Sequence, residues 1–176
     1  MDQEPAEEEQ QGGDTPAGDA PTERGAVTTV RQPTSRTVNV SGTTLSAIQG
    51  RLNWRMVWDD PWDERGQSSY RYWYDDNTGL IYNASVDIAT RKEVPQWSGR
   101  PAQGPEAEEW DRYSAALGTF LDGLYNVVSQ GYAGMADALL DQREAAVLPA
   151  LQARNAEVQA SFDAYVAANE PRLNAR

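Results

Sequence analysis

With neither histidine nor cysteine among its 176 residues, this chain must do any acid–base work with carboxylates. The same absences remove the commonest transition-metal ligand, the thiol nucleophile and any disulfide, so no metal and no cofactor is predicted. Glu108 with Asp111, or Asp122 beside a sheet, has the residue types of a glycosidase-like dyad. With 27 acids in the chain, however, chance proximity is expected and nothing singles out one pair. Asp59, Asp60, Asp63 and Glu64 surround Pro61 and Trp62 without the regular oxygen spacing of a calcium loop, and read as a solvated turn. Asp75-Asp76-Asn77 is turn chemistry. A serine or threonine nucleophile would have to recruit Lys92, the sole lysine, as its base.

The aromatic residues are the other chemical resource. Trp54, Trp58, Trp62, Trp73 and Trp97, with Tyr70, Tyr72, Tyr74 and Tyr82, fall within 44 residues. Strand alternation buries one face only, so if Tyr70, Tyr72 and Tyr74 point inward, Arg71 and Trp73 point out. Two readings stand: an aromatic core with scattered surface rings, or an aromatic face open to a peptide, protein or glycan. Trp58, Trp62, Trp73 and Trp97 are the candidate binding residues of the second.

A net charge of −12 argues against nucleic acid and anionic membrane surfaces, which demand basic patches. No apolar run approaches a membrane span, and the first thirty residues lack the basic start and apolar centre of a signal peptide. Residues 1–34 hold almost no large apolar side chain and are predicted to be a disordered acidic tail. Residues 1–24 alone set eight acids against Arg24, which is −7 of the −12. Such a tail serves as an interaction arm, or as a solvating linker or leader remnant.

Residues 35–172 read as one domain. Thr37 to Val40 alternate as a strand, and Thr43 or Thr44 caps a short helix carrying Leu45, Ile48 and Leu52. Trp54, Met56 and Trp58 alternate in a second strand that Asp60-Pro61 breaks. Tyr70 to Tyr74 and Leu80 to Ile88 flank the turn Asp75–Gly79 as a hairpin. Val94-Pro95-Gln96-Trp97 lies between sheet and helix. Trp110, Tyr113, Leu117, Phe120, Leu121, Leu124, Val128, Met135 and Leu139 then step by three or four, predicting one long helix from Pro105 to Gln142. Its Gly118, Gly123, Gly131 and Gly134 are costly inside a helix unless another backbone packs close. A second helix carries Leu148, Leu151, Val158, Phe162, Tyr165 and Val166, opened by Pro149 and stopped by Pro171. The predicted class is α+β: a small antiparallel sheet packed against two long helices.

Val40-Ser41-Gly42-Thr43-Thr44 before a short helix, the aromatic hairpin, Val94-Pro95-Gln96-Trp97, and Trp110, Tyr113 and Leu117 entering the long helix resemble, in this order, a bacterial family of predicted secreted zinc-dependent proteases. The match covers roughly residues 37–171 and implies a zincin-like fold. It also implies a periplasmic or secreted location, the alternative for this chain being cytoplasmic. In that family the helix carries H-E-x-x-H, which aligns with Phe120-Leu121-Asp122-Gly123-Leu124. The metal-ligand positions are thus Phe120 and Leu124 and the catalytic position Leu121, none able to bind zinc or accept a proton. The family histidine after the second helix falls where this chain reads Asn169-Glu170-Pro171-Arg172. The resemblance therefore implies a catalytically inactive, metalloprotease-like scaffold or binding module. The alternatives are a carboxylate-dependent hydrolase and an engineered or diversified relative of such a protease.

Overall fold

Two stretches of chain far apart in sequence run side by side and set the architecture. In the computed structural model, which describes residues 20–174, β1 (Gly25–Val30) lies parallel to β5 (Ile81–Ile88), and β2 (Thr34–Val40) parallel to β6 (Thr90–Trp97). Gly25 faces Asn83, 58 positions on, whereas Thr34 faces Arg91, 57 positions on. The outer run thus carries one extra residue in Arg31–Pro33, and the ribbon divides there. On the other flank β3 (Arg55–Trp58) pairs antiparallel with β6, and β4 (Ser69–Tyr74) antiparallel with β5. The result is two three-stranded mixed sheets, ordered β1-β5-β4 and β2-β6-β3.

This corrects the expectation of one antiparallel sheet: each sheet has one parallel and one antiparallel pairing. It also corrects the expected tail, because β1 lies inside residues 1–34. Ala26, Thr28 and Val30 turn toward the interior while Val27 stays 62% exposed, so β1 is an edge strand held by its ladder more than by burial. An average over the acidic stretch before it hides so thin a signal. The expected disorder of residues 1–19 lies outside the described residues. Val94–Trp97 proves to be the end of β6. Pro95 is tolerated there because β3 stops at the level of Glu93, leaving Pro95 with a neighbour on one side only.

The helices are α1 (Leu45–Gln49), α2 (Pro105–Tyr132), α3 (Met135–Leu139) and α4 (Val147–Asn169). Thr44 caps α1, its Oγ1 accepting from the Ala47 N–H at 3.2 Å. The predicted single helix from Pro105 to Gln142 is broken. Gly134 adopts the left-handed φ of 70° that residues with a Cβ rarely take, and α3 restarts the chain in a new direction. Met135 and Leu139 stay buried on the far side of the break.

α2 and α4 pack antiparallel, Phe120 meeting Tyr165 and Tyr132 meeting Asn155. α2 reaches the strands through Tyr125, whose hydroxyl donates to the Val30 carbonyl at 3.0 Å, and α3 through the Ala136 N–H, which donates to Thr28 Oγ1 at 2.9 Å. The core between helices and sheets holds Leu117, Leu121, Leu124 and Val128 from α2 with Ala84, Val86 and Ile88 from β5. Among the described residues no buried side-chain polar atom lacks a hydrogen-bond partner, and no helix is long and apolar enough to cross a membrane.

Candidate functional site

The three α2 positions that the sequence resemblance sets against a zinc motif lie in the core. Phe120, Leu121 and Leu124 are 3%, 1% and 0% exposed. Phe120 meets the edge of Trp54 at a centroid separation of 4.9 Å and stacks on Tyr165 at 5.8 Å. Just past the end of α4, Glu170 Oε1 accepts the Trp54 indole N–H at 2.8 Å. Rings and hydrocarbon fill this region, and they cohere by burial and edge-to-face contact.

Several of the carboxylates named from sequence are engaged with partners of their own. Asp111 pairs with Arg100 at 2.5 Å and Asp122 with Lys92 at 3.5 Å, eleven residues and about 16 Å apart along α2. Asp59 accepts from Arg91 at 2.8 Å and from the Gln67 N–H at 2.9 Å, and Asp63 accepts from the Arg65 N–H. Asp75 caps its turn by accepting from the Asn77 and Thr78 N–H groups, which hold its carboxyl below the usual carboxylate range. Among the described residues no three acidic side chains gather as a metal site would require.

The four candidate tryptophans do not form one surface. Trp97 is buried, its indole N–H bonded to the Gly42 carbonyl at 2.7 Å and its ring edge-on to Trp110. That corrects its place among exposed binding residues. Trp58 is half-buried against Phe162 and donates to Asn155 Oδ1 at 2.7 Å. Trp62 is half-buried against the core. Trp73 stands on the outer face of β4 opposite Asn83, separate from the others. Tyr70 and Tyr72 face inward and stack at 6.2 Å, whereas Tyr74 is 48% exposed past a bulge in the ladder.

Two arrangements escaped sequence reasoning. The first is a polar knot between the β3–β4 loop and the helices: Asn155 Oδ1 accepts from both Trp58 Nε1 and the Tyr132 hydroxyl. Burial pushes the Tyr132 phenol up to about 12. It also raises the Asp60 carboxyl beside it, helped by the Asp63 charge and opposed by a hydrogen bond from Asn155. Leu151, Asn155, Val158 and Phe162 share the buried stripe of α4, so a polar residue in apolar register was the available signal.

The second is a shallow cleft of about 270 Å³ on the outer face of the β2-β6-β3 sheet, bordered by Arg36, Arg55, Arg91 and Glu93, with Lys92 at its edge turned to the other face, where its amine meets Asp122 of α2. Pairing places Arg36, Glu93 and Arg55 in one row across three strands. Arg36 lies 3.6 Å from Glu93 with its side chain 78% exposed, and Arg55 has no ion-pair partner among the described residues. Three arginines and one carboxylate face the cleft in a chain of net charge −12. Arg36, Arg55 and Glu93 stand 19 to 57 positions apart, so the row becomes visible only once register is known. Compared with protein-family models, with curated proteins and with solved structures, the chain matches none.

Proposed function

We propose that this chain is a non-catalytic, zincin-like scaffold that works as a binding module, in the cell envelope as its family resemblance implies. The observation that carries the reading is the burial of Phe120, Leu121 and Leu124 among Trp54, Tyr165 and the α2 stripe. Hydrocarbon there contributes about 25 cal/mol for each Å² removed from water and offers no electron pair to a metal. The charged side chains near it are tied to partners, Glu170 to Trp54 and Asp122 to Lys92.

Metal analysis and peptidase assays on the purified chain test this reading. The expected result is no stoichiometric zinc after dialysis and no hydrolysis of unfolded protein substrates. Zinc retained at one per chain, or proteolysis abolished by a chelator, would overturn it.

A further inference from the structure

We propose that the free edge of β2 receives an extended segment of a partner protein as an added strand, a segment that carries a carboxylate opposite Arg36. This goes beyond the reading above and does not rest on it, because it uses none of the zinc-motif positions. The Ser98 N–H donates to the Val40 carbonyl at 3.0 Å, in step with the pairing of Val40 with Trp97. Backbone groups point to alternate sides along a strand, so Thr34, Arg36, Val38 and Val40 bond to β6. Ser35, Thr37 and Asn39 then turn their N–H groups and carbonyls outward, and among the described residues none of these has a hydrogen-bond partner.

The other three edges are covered, short or bent. On β1 the Arg31 N–H donates to the Ile88 carbonyl, which leaves the Val30 carbonyl on the outer side, where the Tyr125 hydroxyl donates to it at 3.0 Å. Thr28 Oγ1 accepts the Ala136 N–H on the same strand. β3 is 4 residues long, and β4 has a bulge between Trp73 and Tyr74. These are the means by which sheets protect their edges. β2 has 7 residues with no proline, no lysine and no irregularity of register, and Thr34 to Thr37 are exposed. An edge of that kind is a template for another strand.

The charge beside the edge selects the occupant. A strand added to β2 sets one side chain about 5 Å from that of Arg36 on the outer face. Arg36 lies 3.6 Å from Glu93 with 78% of its side chain exposed, and Arg55 stands on the other flank of Glu93 without an ion-pair partner among the described residues. Arg36 can therefore turn to an incoming carboxylate while Glu93 keeps Arg55. A second copy of this chain fits less well. Pairing β2 with itself antiparallel about Thr37 puts two Arg36 side chains at diagonal positions on one face and joins two chains of net charge −12. Backbone bonds supply the affinity of an added strand, and the side chain opposite Arg36 its selectivity.

The probe is a short peptide of alternating threonine and valine with one central glutamate, titrated into the isotopically labelled full chain and followed by amide NMR. The expected result is saturable shifts centred on the Ser35, Thr37 and Asn39 amides. A peptide with lysine for glutamate should bind several-fold more weakly, and Arg36→Ser should erase that preference. Methylating one alternating set of the peptide's amide nitrogens should abolish binding and methylating the other should not, since only one set faces β2. Thr37→Pro deletes an outward N–H and no bond to β6, so it should lose the peptide while the Val38 and Val40 amides stay protected from exchange. If that variant fails to fold, the methylated pair still tests the edge on the parent chain. No saturable binding, shifts centred elsewhere, equal binding of the glutamate and lysine peptides, or indifference to which amides are methylated would overturn the proposal. So would a dimer of the peptide-free chain that Thr37→Pro dissolves, which assigns the edge to a second copy.

Discussion

Tyr165 on α4 lies against the bare Cα of Gly123 on α2, leaving no space for a side chain between them. Two turns further along α2, and two turns back along α4, Gly131 meets Val158 in the same manner, a Cβ there falling 2.6 Å from Val158 Cγ2. The two glycines set the distance between the helices. Gly118 faces open space on the same helix. Gly123→Ala and Gly131→Ala should therefore destabilise by about 1–3 kcal/mol through overpacking, despite the gain in helix propensity. Gly118→Ala should stabilise by up to ~1 kcal/mol. Denaturant unfolding of the three variants checks this, and equal effects at all three sites would contradict the packing.

Phe120→Ala and Leu124→Ala should each cost about 2–5 kcal/mol, because the surrounding rings and strands relax only partly into the space left. The triple change F120H/L121E/L124H, which writes the zinc motif into the helix, places polar groups in a dry region. It should lower the stability of the metal-free protein by several kcal/mol. Thermal unfolding with and without added zinc reads the outcome. A metal-free triple variant as stable as the parent would show that this helix face is wet.

The knot around Asn155 predicts a contrast between two substitutions. Asn155→Ala strands the Trp58 indole N–H and the Tyr132 hydroxyl together, each unmade bond costing about 1–3 kcal/mol. Asp60→Asn acts in the opposite direction. Burial raises the Asp60 carboxyl, so its ionisation works against folding, and that penalty disappears as the pH falls through its folded value. Asp60→Asn should unfold at a higher temperature than the parent at pH 7, with the gap closing toward pH 4. A constant gap across that range would assign the effect to something other than the charge.

Glu109 gives the reverse slope. Its carboxylate accepts two N–H groups of Arg112 at 2.6 and 2.7 Å and the Asn174 N–H at 2.8 Å, an arrangement that lowers it to about 2. A carboxyl lowered in the folded state contributes stability above its unfolded pKa of about 4.3, and that contribution is lost as the pH falls toward the folded value. Glu109→Gln should flatten the stability profile between pH 4 and 2 and loosen the C-terminal residues that Arg112 and Glu109 clasp. Melting curves across that pH range with limited carboxypeptidase digestion measure both effects.

Elements built on local period were legible from sequence: the α2 stripe, the α4 stripe, the Thr44 cap and the hairpin turn at Asp75–Gly79 all rest on neighbours a few residues apart. Parallel pairing was not, because nothing in Thr34–Val40 specifies a partner 57 positions away. Pro95 concealed β6, since proline in a strand is acceptable only where a neighbour is missing, and that depends on where β3 ends. The burial of Phe120, Leu121 and Leu124 followed from the α2 stripe. The row of Arg36, Glu93 and Arg55 could not be read from a stripe, because it exists only through the register of three strands.

The parallel ribbon also constrains the order in which the chain assembles. Residues 25–40 cannot find their partners until the chain has continued through residues 83–97, whereas the β4–β5 hairpin and the α2–α4 pair are closed by shorter loops. Contacts so distant in sequence are expensive in loop entropy and slow to form. The ribbon edge therefore joins a structure already laid down by hairpin and helices, and it is the first part to detach when stability is marginal. Amide exchange should be fastest in β1 and slowest in β5, which has a strand on each side and the helices above it.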